Sequence, residues 1–222
     1  MATIRKSDSQ IQQDVLRELK WDPRVEETEV GVEVDNGVVT LTGTVSSWAK
    51  KVAAEEAAHR VYGVLDVAND IVVKTPGGMP VTDTEIAQAV RRTLEWDVFV
   101  PHERITCTVS SGWVTLGGTV DLWNERESAE RAIRNLQGVR GVTNNLTVTP
   151  SKASSLEVRG AIEEALERRA EREAKKIQVD VRDGTVTLTG IVQSWEEKEA
   201  VASAARYTPG VRSVDNQLRI AA

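Results

Sequence analysis

One cysteine, two histidines and six tryptophans are the residues of this 222-residue chain with the most specialised chemistry to offer. A catalytic nucleophile needs a positioned base, and a metal centre needs several ligands at defined spacing. Cys107 stands alone, and His59 and His102 are scattered far from each other and from it. The recurrent glycines do not form the G-x-x-x-x-G-K-[ST] pattern that cradles phosphates. No catalytic residue, metal site or cofactor is therefore expected, and the chain reads as non-enzymatic. Both histidines are expected on the solvated surface, and Cys107 is expected as a small core residue, the common role of a free cysteine.

The tryptophans carry more information, since they stand against one Phe and two Tyr. Trp48, Trp123 and Trp195 occupy one repeated position, where packing at the start of a helix is expected because aromatic rings bring large buried area. Trp21 and Trp96 end another element in two places, and Trp113 falls at an outward position of a strand. These three are candidates for anchoring at a bilayer interface or filling a partner's pocket, with burial between repeats as the equal alternative.

The elements that hold these residues come from an internal repeat. GVVTLTGTVSSW (Gly37 to Trp48) recurs as GWVTLGGTVDLW (Gly112 to Trp123) and as GTVTLTGIVQSW (Gly184 to Trp195). The period exceeds that of solenoid units, so each copy is expected to close its own core. Each reads helix, strand, strand, helix, strand. Ile11, Val15 and Leu19 form a helical stripe, repeated by Ile86, Val90, Leu94 and by Val158, Ile162, Leu166. Alternating apolar residues then mark the first strand, with Cys107 at a valine position. Asn36-Gly37, Ser111-Gly112 and Asp183-Gly184 signal a hairpin into the second strand. Gly43, Gly118 and Gly190 interrupt that strand, for which a bulge or a close helix approach is expected. Gly63, Gly138 and Gly210 are expected to end the second helix. The fold class is α+β: three tandem α-β-β-α-β domains, each a small three-stranded mixed sheet with two helices on one face. Boundaries are placed at 7–74, 82–149 and 154–221, with linkers at 75–81 and 150–153.

A glycine hairpin, a V-x-L-x-G strand, a Trp-started helix and a later G-V-x-x-V-x-N-x-L/I element resemble the BON family of bacterial osmotically induced and nodulation proteins. Gly37-Val38-Val39-Thr40-Leu41-Thr42-Gly43 and Gly63 to Ile71 carry the resemblance, and both other copies repeat it. It implies an α-β-β-α-β domain without catalytic residues. It also implies attachment to phospholipid membranes or envelope partners under osmotic stress, in a transport-associated setting. A cytoplasmic potassium-binding relative implies a second reading, sensing of a monovalent cation or small ligand through backbone carbonyls at strand ends.

Charge adds limits. The net charge of -6 works against general nucleic-acid binding. Arg168, Arg169, Arg172, Lys175 and Lys176 form a basic cluster that could meet anionic headgroups, although nearby Glu164, Glu167 and Glu171 favour an ion-paired, solvated helix. The first residues lack an apolar leader and no later window is long enough for a membrane span, so a cytoplasmic location is expected as the sequence stands, and a periplasmic one if a leader has been removed.

Overall fold

The computed structural model describes residues 6–74, 81–149, 155–169 and 177–221, with side chains of the third segment described to residue 165. The first copy contains α1 (Asp8–Trp21), β1 (Val30–Asp35), β2 (Val38–Val45), α2 (Trp48–His59), β3 (Asp66–Asn69) and β4 (Val72–Val73). The second contains α3 (Asp83–Trp96), β5 (Ile105–Ser110), β6 (Trp113–Val120), α4 (Trp123–Ile133) and β7 (Gly141–Val148). The third contains α5 (Ser155–Arg169), β8 (Gln178–Arg182), β9 (Thr185–Val192), α6 (Trp195–Arg206) and β10 (Ser213–Ile220).

In each copy the first two strands pair antiparallel and the last lies parallel to the second, as the expected mixed sheet requires. The hydrophobic stripes of α1 and α3 are fully buried, and in α5 Val158 and Ile162 are buried while Leu166 lies outside the described side chains. Each copy has its own cluster of buried residues. Boxes formed by Ser7 with Gln10 and by Thr82 with Glu85 start α1 and α3, satisfying N–H groups that the first helical turn leaves unpaired.

The carboxylate of Asp8, in the first turn of α1, accepts hydrogen bonds from the N–H groups of Asn36 and Gly37, both at 2.9 Å. Asp83 does the same for Ser111 and Gly112 at 2.8 Å. The first helix thus clamps the hairpin turn, whose central residues hold positive φ, 52° at Asn36 and 81° at Gly37. All nine glycines of the repeat adopt positive φ.

Two expectations need correction. The glycine inside the second strand answers neither a bulge nor a helix: the register at Gly43 is regular, opposite Val30. A Cβ there would lie 2.1 Å from the carbonyl oxygen of Glu29, which ends the turn entering β1. Gly118 faces Arg104 in the same way. Nor do the second helices run to their glycines. They stop at His59, Ile133 and Arg206, and short turns come next, closed by Val64 N–H to the Val61 carbonyl, Val139 to Leu136 and Val211 to Thr208.

The last strand of the first copy is broken between Asn69 and Val72. At the break the Asn69 side chain donates to the Lys51 carbonyl and the Glu55 carboxylate and accepts from the Ile71 N–H. Asn144 makes the same three bonds with Arg126, Glu130 and Leu146. In the first two copies the repeated asparagine therefore ties the last strand to the second helix, whereas Asn216 of the third accepts from the Leu218 N–H.

Candidate functional site

Among the described residues the copies meet through their three second helices, end to side. At the end of α2, His59 stacks on Trp195, the first residue of α6, with ring centroids 3.7 Å apart. At the end of α6, the Arg206 guanidinium lies 5.9 Å from the ring of Trp123, which begins α4, and Tyr207 hydrogen-bonds Glu127. At the end of α4, Arg134 pairs with Glu56 of α2 at 3.5 Å, and Trp48, at the start of α2, packs against the second core and lies 6.1 Å from Trp113. Two junctions thus set one copy's helix start against another's helix end, at the third the end of α4 reaches the last turn of α2, and the series closes after three.

The repeated tryptophans Trp48, Trp123 and Trp195 are half-buried, set at these junctions rather than inside their own cores alone. His59 corrects the expectation of a solvated histidine: it is 8% exposed, and burial holds its pKa below the ordinary value against the pull of Glu55, Asp66 and Glu199. Its chemistry was illegible in sequence because the partner that covers it lies in the third copy. Cys107 is partly buried against the second core, and burial pushes its thiol pKa up, so it is a poor thiolate.

Trp113 takes a middle course. Its ring covers Gly141, where a Cβ would stand 2.4 Å from the indole, and its Nε1 donates to Thr143 Oγ1 at 2.8 Å. The glycine makes room for the ring, so Trp113 is partly spent on its own sheet and on the junction with Trp48. Arg172, Lys175 and Lys176 lie outside the described residues, as do the side chains of Arg168 and Arg169.

Trp21 and Trp96 end α1 and α3 and are left open to solvent, 77% and 86% exposed. The loops after these two tryptophans differ. Beyond Trp21, Asp22 is buried and bonded by both Arg24 and Arg60, whose hydrogen bonds, Arg24 first, hold its carboxyl well below the usual carboxylate range. In the second copy Phe99 and Asn135 stand where those arginines would be, and the clamp is gone. Val98 and Phe99 are instead 89% and 67% exposed. Buried Val100 and the bond from Phe99 N–H to Asp97 Oδ1 hold this apolar tip in shape. Sequence reasoning passed over Val98 and Phe99; the available signal was two apolar residues in a loop where the first copy has Pro23 and Arg24.

Among the described residues, no group of three His, Cys, Asp or Glu side chains is placed to hold a metal ion, and no helix is long and apolar enough to cross a membrane.

Osmotically-inducible protein Y of Escherichia coli (strain K12) is 31% identical to this chain over 143 residues, covering 63% of this chain and 71% of that protein. An uncharacterized protein of the gshII 5' region of Anaplasma centrale is 32% identical over 126 residues, 52% of this chain and 81% of that one. Among solved structures, CdsD, a structural protein of the type III secretion system of Chlamydia trachomatis, overlays 94% of this chain and 91% of its own, loosely, at 15% identity and a TM-score of 0.27. The sequence profile of the BON domain matches residues 7–75, 82–150 and 155–222. Hairpin, tryptophan-started helix and repeated asparagine thus recur three times in one chain, which belongs to the BON-domain family.

Proposed function

We propose that this chain is a non-catalytic, stress-associated binding protein that attaches to phospholipid surfaces. The observation that carries the reading is the tip formed by Trp96, Val98 and Phe99, all more than half exposed. Contiguous exposed apolar side chains on a folded domain mark an interaction surface. Tryptophan next to aliphatic and aromatic neighbours suits the interface between headgroups and acyl chains. The missing ion-pair clamp supports the same reading: the second copy leaves apolar area in water where the first copy closes the loop with arginines, at no gain to the isolated fold. A relative named for osmotic induction fits attachment under stress.

The test is flotation with phosphatidylcholine vesicles and with vesicles containing phosphatidylglycerol, at low and physiological salt. The wild-type chain floats with vesicles, and the triple variant Trp96→Ala, Val98→Ser, Phe99→Ser does not. No association with either vesicle at low salt refutes the lipid reading and leaves a protein partner as the occupant of the tip. Flotation that survives the triple variant refutes this placement of the surface.

A further inference from the structure

We infer that the open face of the second copy's sheet is a binding surface for a neutral oligosaccharide. Val114, Leu116 and Val120 of β6 point into the core beneath the helices, so the residues between them point out on the other side. By the register of β5, β6 and β7, the hydroxyls of Thr108, Thr115 and Thr143 form one row across the strands, and Thr106 and Asn145 flank Gly117 in the next. Neighbours in such a grid stand about 4.8 Å apart across the strands and about 6.6 Å apart along them. Apart from Thr143, which accepts from Trp113, none of these side chains makes a hydrogen bond among the described residues.

The second observation is Trp113, at one end of this grid. Its Cζ3, Cε3 and Cη2 lie 2.4, 2.6 and 2.6 Å from the place that a Cβ would take on Gly141. A ring met edge on would put the outer two of these carbons much farther away than the middle one, so the indole lies face down on the glycine. The 2.8 Å bond from its Nε1 to Thr143 Oγ1 fixes the ring, with Trp48 beside it at 6.1 Å between centroids. The residue is still 47% exposed, which leaves the outer face of the ring open to solvent. The equivalent positions hold Val38 and Thr185, so the unit folds without this ring.

Charge selects the occupant. No outward position of β5, β6 or β7 holds a charged residue, whereas the equivalent positions hold Glu33, Asp35 and Asp66 in the first copy and Asp180, Arg182 and Asp215 in the third. Phosphate backbones and anionic headgroups call for cations, which this face lacks, and a charged peptide finds nothing to pair with. A second sheet packed face to face needs apolar side chains to bury, and here Trp113 is the single large one. A neutral sugar chain fits what is present. Its C–H faces stack on the fixed indole, and its hydroxyls, donors and acceptors at once, meet the threonine hydroxyls and the Asn145 amide. Contacts spread over several rows suit a chain of sugars more than a single ring. The surface is separate from the apolar tip, so either can fail alone.

Calorimetric titration of the full chain with maltohexaose, cellohexaose and N-acetylchitohexaose tests the inference, with oligogalacturonate as the charged arm. At least one of the neutral oligosaccharides is expected to bind saturably and to shift the indole N–H NMR signal of Trp113 while leaving that of Trp96 in place; oligogalacturonate is expected not to bind. Trp113→Val, which restores the residue type of the first copy, is expected to weaken binding about tenfold while thermal melts show the fold retained. Trp96→Ala, on the tip, should bind as the wild type does. The NMR signal of Trp113 reads the contact in the wild-type chain, independently of how the variants fold. The inference is overturned if none of the three neutral oligosaccharides binds, if the Trp113 signal stays in place during binding, if folded Trp113→Val binds as well as the wild type, if Trp96→Ala weakens binding equally, or if oligogalacturonate binds as well as the neutral chains.

Discussion

His59 closes α2 and Trp195 opens α6, and their rings lie stacked with an 18° angle between planes. The contact joins the first and third copies, which are the two not adjacent in sequence. Head-to-tail contacts either run on as an open chain or close into a ring. Here the His59–Trp195 stack closes the ring, and its contribution can be measured.

Trp195→Ala removes the covering ring from His59. The variant is expected to lose about 1–3 kcal/mol in urea unfolding monitored by circular dichroism. The third copy should also swing away, seen as a larger radius of gyration in small-angle X-ray scattering. An unchanged radius would show that the remaining junctions alone hold the three copies together.

Burial sets the pH response of the same contact. His59 prefers the neutral form in the folded chain, with burial outweighing the nearby carboxylates of Glu55, Asp66 and Glu199. Below the ordinary histidine value of about 6.5 the unfolded chain takes up the proton first, so stability falls as pH drops through and below that point. Between pH 7 and pH 5.5 the melting temperature of the wild type should fall more than that of His59→Phe. Equal slopes would show that His59 does not set the response.

The Asp22 clamp has a separate acid limit. Its carboxyl is nearly inaccessible, while Arg24 and Arg60 are each close to half exposed, so screening reduces the worth of the pairs. Asp22→Ala is expected to cost about 1–2 kcal/mol at neutral pH. Because the folded carboxyl titrates below its ordinary value, the stabilisation is full above about pH 4 and disappears as pH falls further. The difference between wild type and variant should therefore shrink toward pH 2.

Two glycines should answer in opposite directions. Gly43→Ala forces a side chain onto the Glu29 carbonyl at a φ of 127°, and a loss of about 2–4 kcal/mol is expected. Gly160 lies within α5 with open space around it, so Gly160→Ala should gain about 0.5–1 kcal/mol. Thermal melts of the two variants check both signs.

The repeat made the fold legible. Helical stripes, two-residue hairpins and alternating strands are local patterns, and three copies of each pattern agreed on one α-β-β-α-β unit. The glycines were legible as turns, yet the reason for Gly43 was not, because Glu29 meets it only once the hairpin has formed. Trp21 and Trp96 were legible as candidates because repetition placed them at a helix end. Val98 and Phe99 were missed because a loop has no period to reveal which way its side chains point.

Periods of two and 3.6 within short windows are enough to set the elements, their order and the core-facing residues of each copy. They do not say what the repeated surface positions are for. The same helix end carries His59, Arg134 and Arg206, three residues that an alignment of the copies matches without giving any of them a neighbour. The closing of the three copies on one another buried His59 against Trp195 and left the arginines facing Glu56 and Trp123. Contacts between domains depend on surfaces far apart in the chain, and no local pattern encodes which of those surfaces will meet.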